Sequence, residues 1–243
     1  MALPFSPPAS LDPSFTISRP SEADIDKLAH VYYESFWTGQ ASIFWWSPDR
    51  DTMIDWLHVR VTNKMANPGV RHFQIVDNNN GEVVGFTRWD IPKGYEDKFG
   101  AWTGPVDVKG TVKPDVEAAP TPKAAVIPPR GGDPELCRAF FGAIAEASKR
   151  WDTSGMLGLS LLCTSPKYFR RGAARALLEP MLAIADREGL RTYLEATPAG
   201  YPVYEKLGFR TVEVIEFDLA AMTGGKQKRV DSLTIMIREP QLT

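Results

Sequence analysis

The sequence predicts a single domain of the α/β type in its α+β form: a mixed, mostly antiparallel sheet of about seven strands flanked by helices. Three observations predict it. Seven short apolar or alternating runs read as strands, with helical patterns interleaved among them. Two of those runs are joined by Asn78-Asn79-Asn80-Gly81, whose Asn-Gly ending signals a hairpin. Two strand–turn–helix units then follow one another between Leu157 and Phe209.

The elements follow in order. Residues 1–13 are rich in Pro and Ser and read as a flexible leader, leaving 14–243 for the domain. A short strand at 15–19 precedes Ser21-Glu22-Ala23-Asp24, an N-cap with an acidic first turn. Ile25, Leu28, Ala29, Tyr32 and Phe36 then recur at helical spacing, and Ile54, Leu57, Val61 and Met65 mark a second helix at 51–65. Between the helices runs an aromatic loop with Trp37, Trp45 and Trp46, side chains of a kind that commonly packs half-buried. Strands at 70–77 and 82–90 form the hairpin.

From 91 to 133 periodicity is lost, and seven prolines fall between Pro105 and Pro134. This is an insertion whose middle reads as a surface loop and whose start, 95–102, reads as a flap. Asp133-Pro134-Glu135 opens a helix with Leu136, Phe140, Ile144 and Trp151 on its buried stripe. A strand at 157–164, a helix at 172–188, a strand at 191–197 and a helix at 202–207 come next. Pro180 should kink the longer of these helices. Strands at 211–218 and 233–237, separated by Thr223-Gly224-Gly225-Lys226, complete the sheet.

Composition excludes several classes. The 243 residues include 43% hydrophobic and 24% charged, enough for a sizeable core, and the net charge of −2 argues against a nucleic-acid or membrane-surface role. Two cysteines make no disulfide framework, and three scattered histidines make no metal site. No signal pattern or membrane-length run appears, so the expected location is the cytoplasm. Residues 165–210 nevertheless carry eight Lys/Arg against five Asp/Glu, a local excess that suits a polyanionic cofactor and equally a solvated helix face.

The chemistry concentrates there. After Thr164 the chain runs through Phe169-Arg170-Arg171-Gly172-Ala173-Ala174 into a helix, so small residues expose free backbone N–H groups at the positive end of a helix dipole. A second unit carries Tyr201-Pro202-Val203-Tyr204-Glu205-Lys206-Leu207-Gly208-Phe209. These two segments resemble the GNAT superfamily of acetyl-CoA-dependent N-acetyltransferases, strongly over about 156–218 and more weakly over 15–90. Two positions depart from the family pattern: Phe169 stands where glutamine or arginine is usual, and Thr197 where asparagine is frequent.

The resemblance implies an acyltransferase that moves an acetyl group from acetyl-CoA to a primary amine, with a small-molecule acceptor favoured, acting as a monomer or homodimer. It implies that Arg170, Arg171, Gly172, Ala173, Ala174 and Arg175 hold the pyrophosphate. It places Leu162, Cys163, Thr164 and Thr197 along the cofactor, with the Leu162 and Cys163 amides polarising the carbonyl. Tyr204 is the implied acid for the departing thiolate. No carboxylate stands within 157–162, where some members of the family carry one. Glu195, near the end of its strand, and Asp90, at the end of the hairpin, are the candidate bases, directly or through water. A salt bridge to Arg191 or a helix cap is the alternative for Glu195, and a turn residue for Asp90. In the resembled family the helical pair that flanks Trp37, Trp45 and Trp46 commonly frames the acceptor pocket. A catalytically weak acyl-CoA-binding sensor is the competing reading of the whole chain.

Overall fold

A computed structural model describes residues 2–39, 43–102 and 126–241. The middle of the insertion, 103–125, lies outside the described residues. Seven strands form one sheet in the order β1-β2-β3-β4-β5-β7-β6. They are β1 (Phe15–Ser18), β2 (Val70–Asp77), β3 (Val83–Asp90), β4 (Leu157–Thr164), β5 (Thr192–Ala196), β6 (Arg210–Asp218) and β7 (Val230–Arg238). Every neighbouring pair is antiparallel except β4 with β5. The sheet expected from periodicity is therefore present with its mixed character. The last strand is longer than the apolar run 233–237, because β6 pairs with it along its exposed start as well.

Helices cover both faces. α1 (Ile25–Gly39), α2 (Arg50–Met65) and α3 (Pro134–Arg150) lie on one face, and α4 (Ala173–Arg187) on the other. The short α5 (Tyr201–Lys206) follows β5, and α6 (Leu219–Met222) links β6 to β7. Asp133 caps α3 by accepting from the amides of Glu135 and Leu136, each at 3.0 Å, with Pro134 at the first helical position. Pro180 lies buried within α4, which continues through it. The cost of its missing N–H is offset by apolar burial on both sides, where Leu177, Leu178 and Met181 are fully enclosed.

Under α4 the core contains Phe73, Trp89, Leu157, Leu159, Leu177 and Phe209. Under α1, α2 and α3 it contains Leu28, Met53, Leu57, Phe86, Leu161 and Phe140. β2 and β3 are buried along almost their whole length because they have helices on both faces. Residues 2–13, expected as a flexible leader, lie across the α4 side. Leu3, Phe5 and Leu11 pack on that core, and the Phe5 ring sits 5.0 Å from that of Phe73. Of residues 95–102, expected as a flap, 96–99 lie at the far end of α4 instead. Phe99 is fully buried there and Lys98 pairs with Glu188 at 3.3 Å. That places 96–99 about 20 Å of helix away from the N-terminus of α4. Residues 100–102 continue to Arg19, Arg71 and the Met65 carbonyl at the end of α2. Among the described residues, no helix is long and apolar enough to cross a membrane.

Two irregularities shape the centre of the sheet. Arg88 faces Leu161 and Trp89 faces Leu159, so Ser160 is an extra residue in β4, a β-bulge. The bulge reverses the alternation of side chains. Leu157 and Leu159 join the core under α4, whereas Leu161 and Cys163 join the core under α1. The parallel ladder between β4 and β5 also stops at this point, running only from Leu157↔Thr192 to Leu159↔Leu194. Beyond Leu159 the two strands diverge.

The β3–β4 pairing alongside is tight. A Cβ on Gly85 would stand 2.5 Å from the Cys163 carbonyl oxygen, so the strands approach closely only because position 85 is glycine. Gly85→Ala should therefore lower stability by about 1–3 kcal/mol, the usual range for overpacking. Denaturant titration checks this, and a midpoint equal to wild type would show that β3 and β4 can separate freely here.

Candidate active site

The turn before α4 has the geometry its small residues allow. Gly172 is left-handed, at φ +79°, and a side chain there would meet open space rather than protein. Arg170 is also left-handed, at φ +66°, which costs a non-glycine residue about 1–3 kcal/mol. The first helical hydrogen bond runs from the Ala176 amide to the Gly172 carbonyl at 3.0 Å. Among the described residues the amides from Arg171 to Arg175 have no acceptor, and they face the outside of the turn at the positive end of α4. Ala173 is buried against the core, and Ala174 is half-buried.

The arginine side chains are otherwise engaged. Arg171 donates to Asp12 at 2.6 Å and to Ser14 at 3.1 Å, and its guanidinium lies 4.3 Å over the Phe15 ring. Arg175 pairs with Glu179 one turn along α4. Of the three arginines expected at a pyrophosphate, Arg171 and Arg175 thus offer backbone amides while their charges are held elsewhere. Arg170 alone projects an uncommitted side chain. Phe169 beside it is 49% exposed, an apolar rim where a polar contact is usual in the resembled family.

Across the gap between β4 and β5 lie the remaining candidates. The Ser165 amide donates to the Val84 carbonyl at 2.8 Å, which fixes the phase of the β3–β4 ladder. By the alternation of an antiparallel pair, Leu161 and Cys163 then turn their backbone groups to β3, and Leu162 and Thr164 turn theirs away. The Thr164 amide is taken by the Ser35 hydroxyl of α1 at 3.3 Å. Leu162 is left as the donor facing the gap. Sequence reasoning paired Leu162 with Cys163; the ladder claims Cys163. Thr197 accepts from the Gly200 amide through both its carbonyl (3.0 Å) and its hydroxyl (3.3 Å), so it caps the turn into α5.

Tyr204 projects from α5 into this region. It is buried, its ring 5.9 Å from that of Phe209, and it leans on Gly200, where a Cβ would stand 2.9 Å from the ring. Burial raises the phenol well above its ordinary range, and the neighbouring Cys163 and Glu195 add to the rise, so the hydroxyl stays protonated. Glu195, near the end of β5, is half-buried. Burial pushes its carboxyl up to about 7 and the charge of Asp90 adds to that, while Tyr193 and Arg88 oppose. The expected partner Arg191 bonds Glu239 at 2.8 Å, so it does not pair with Glu195.

Asp90 ends β3 opposite Gly158 of β4, and Gly158 in turn faces Tyr193 of β5. A side chain at 158 would stand 3.5 Å from the Asp90 Cβ. With glycine at 158, no side chain stands between Asp90 and Tyr193, which flank it in the register. Arg88, Ser160, Gly158 and Tyr193 escaped sequence reasoning. The available signal was Gly158 and Ser160, two small residues in an otherwise apolar strand. Trp45 and Trp46 are buried among Phe140, Phe44 and Tyr33, and Trp37 stacks on Tyr33 at 5.4 Å, so the aromatic loop packs.

Comparison with known proteins bears on the fold that carries these residues. Residues 138–218 match the family model described as an acetyltransferase (GNAT) domain. A Corynebacterium glutamicum structure described as histone acetyltransferase HPA2 and related acetyltransferase shares the fold, at TM-score 0.53 and 19% identity. It covers 95% of this chain and 98% of its own. A mosquito arylalkylamine N-acetyltransferase-like protein matches at TM-score 0.55 and 11% identity, covering 93% and 100%. An acetyltransferase from Thermus thermophilus matches at 0.50 and 14%, covering 93% and 97%. At these identities the likeness is one of fold. No curated protein matches the sequence.

The turn geometry generates a binding test. Coenzyme A should raise the melting temperature, and Gly172→Asp should abolish the rise by placing bulk and negative charge over the free amides. Circular dichroism establishes that the variant is folded. A shift equal to wild type in the variant would remove the pyrophosphate from this turn.

Proposed function

We propose, from the premise that the chain belongs to the GNAT superfamily, that it transfers an acetyl group from acetyl-CoA to a primary amine of a small molecule by direct attack in a ternary complex. The observation that carries the reading is the early end of the β4–β5 ladder after Leu159↔Leu194, with Leu162, Glu195 and Tyr204 gathered along the resulting gap. A gap bounded by unpaired backbone suits an amide-bearing pantetheine arm, which can replace the missing strand partners. The free amides from Arg171 to Arg175 would hold the pyrophosphate at one end of it.

Each residue then has a distinct task. The Leu162 amide would donate to the thioester carbonyl and stabilise the oxyanion as the amine adds. Glu195, with its carboxyl near neutrality, would take the proton from the acceptor ammonium, freeing the lone pair that forms the C–N bond. As the C–S bond breaks, the sulfur takes the electron pair, and Tyr204 would give it a proton or a hydrogen bond. The second proton of the adding nitrogen would leave to solvent, from which the phenolate or the thiolate is reprotonated. The products are an acetamide and free coenzyme A. Neither cysteine suits a covalent relay: burial pushes Cys137 up to about 11 and drives Cys163 higher, keeping both as thiols. This favours direct attack over an acyl-enzyme. The reading includes a cytoplasmic location, where two buried free thiols stay reduced.

Two substitutions test it, after an amine panel has identified an acceptor by thiol release. Tyr204→Phe keeps the packed ring and should lower kcat and kcat/KM together by about 10²-fold or more, with coenzyme A affinity unchanged. A variant with wild-type kcat would reduce Tyr204 to packing. In wild type, kcat/KM should rise through pH 7 as Glu195 loses its proton, because only the carboxylate accepts one. Glu195→Gln should lose that limb; persistence of the limb would assign the base elsewhere. Coenzyme A binding without turnover on any amine would make the protein an acyl-CoA binder.

A further inference from the structure

We propose that Arg88 is a positioning residue whose guanidinium clamps the Ser160 bulge, holding β4 away from β5 along the gap; the role in catalysis rests on the acetyltransferase reading above. Arg88 is 3% exposed on β3. Its Nε donates to the Ser160 hydroxyl at 3.0 Å and its Nη2 to the Ser160 carbonyl at 3.1 Å. The Ser160 hydroxyl in turn donates to the Arg88 carbonyl at 3.3 Å. All the hydrogen bonds of the Arg88 side chain therefore end on one residue.

That residue is the one without a partner in the β3 register, at the point where β4 also leaves β5. A bulged residue at the end of a ladder has backbone groups that the sheet does not satisfy, and leaving a buried carbonyl unpaired is costly. Arg88 supplies what both neighbouring strands withhold. Once it does so, Leu161 and Cys163 turn to β3, and Leu162 turns its amide to the gap.

Stability alone is a poor reason for such a residue. Among the described residues no carboxylate bonds Arg88, and its Nη1 is buried without a partner. A buried guanidinium carries a desolvation cost that well-packed apolar side chains avoid. Lysine could keep the charge but not the fork that grips a hydroxyl and a carbonyl together. The charge has a second effect, since Arg88 favours the ionised form of Glu195. The other groups facing Glu195 are Asp90 from β3, Tyr193 from its own strand and Tyr204 from α5. Arg88 itself faces Arg60, Tyr32, Asp90 and Cys163.

Three variants separate grip from charge: Arg88→Lys, Arg88→Met and Ser160→Ala. Amide hydrogen exchange over 159–163, measured without cofactor, reads the clamp; kcat, KM and the acidic pH limb read its consequence. Arg88→Lys should speed exchange and lower kcat by about 10²-fold, as small misplacements of reacting groups do, with the limb unmoved. Arg88→Met should do the same and move the limb to higher pH, because the positive charge favouring ionised Glu195 is gone. Ser160→Ala, which keeps the carbonyl contact and the charge, should speed exchange and lower kcat by less, with the limb unmoved, and it carries the test alone if the Arg88 variants do not fold. Wild-type exchange in the folded variants overturns the clamp. Faster exchange with wild-type kcat overturns its role in positioning. Faster exchange in a protein whose wild type acetylates no amine upholds the clamp and overturns the acetyltransferase reading.

Discussion

A strand inside a sheet normally satisfies its backbone on both edges, and β4 does so only from Leu157 to Leu159. From Ser160 onward it keeps β3 and gives up β5. The divergence is a constraint on everything around it. The bulge moves Leu161 and Cys163 to the other face, so a single strand contributes to two cores. The freed edge of β4 is where a ligand can complete the sheet in place of a strand. α5 can then bring Tyr204 to the gap from the end of β5, and Glu195, one residue past the last pair of the β4–β5 ladder, comes to lie without a β4 neighbour. Had the parallel ladder continued for its full length, the same residues would be present and the gap would not.

Much of this was legible in the sequence wherever periodicity or turn chemistry operates locally. The hairpin at Asn78–Gly81 follows from residues adjacent in the chain, and so does the Asp133 cap on α3. The Gly172 turn is of the same kind: small residues between an apolar strand and an apolar helix describe their own geometry. The divergence was not legible, because a bulge is a property of register. Ser160 becomes the extra residue only through the pairing of Arg88 with Leu161 and Trp89 with Leu159. The leader shows the same limit. Its Pro/Ser composition reads as loose, yet Leu3, Phe5 and Leu11 find apolar surface that the folded domain creates. Segment 95–102 lacks any pattern because scattered contacts anchor it: Phe99 in the core, the Trp102 indole on the Met65 carbonyl and the Arg71 guanidinium on the Gly100 carbonyl.

Arg171 shows why identity at a motif position does not settle a role. Its string suggests a cation for a phosphate, but the guanidinium is spent on Asp12, Ser14 and the Phe15 face. Asp12 is held at about 2 by bonds from Ser14 and Arg171, so the ion pair persists throughout the neutral range. An exposed pair of this kind adds little to stability. Its value is geometric: it fixes the residue following Arg170, which is left-handed and needs its neighbours to hold it there. Ordering the turn before a ligand arrives removes part of the entropy cost of binding. On the proposed reading, backbone amides would recognise the anion, and of the three arginines of this turn Arg170 would add a charge that no described residue engages.

The electrostatics at the other end of the gap obey an opposite rule. Few ion pairs are made, and the groups are left unbalanced. Burial favours the neutral form of Glu195 and Asp90 strengthens that preference, while Arg88 and Tyr193 restrain it. Pairing Glu195 with Arg191 would have produced a carboxylate too weakly basic to take a proton from an ammonium. The structure directs Arg191 to Glu239 instead. If Glu195 is the base of the proposed reaction, its carboxyl near neutrality depends on withholding one counterion, Arg191, and placing another cation, Arg88, close enough to moderate it but engaged with the strand beside it. On this argument the bulge and the base are one device. The same guanidinium that shapes the opening of β4 also limits how far the Glu195 carboxyl rises, so geometry and proton affinity cannot drift independently.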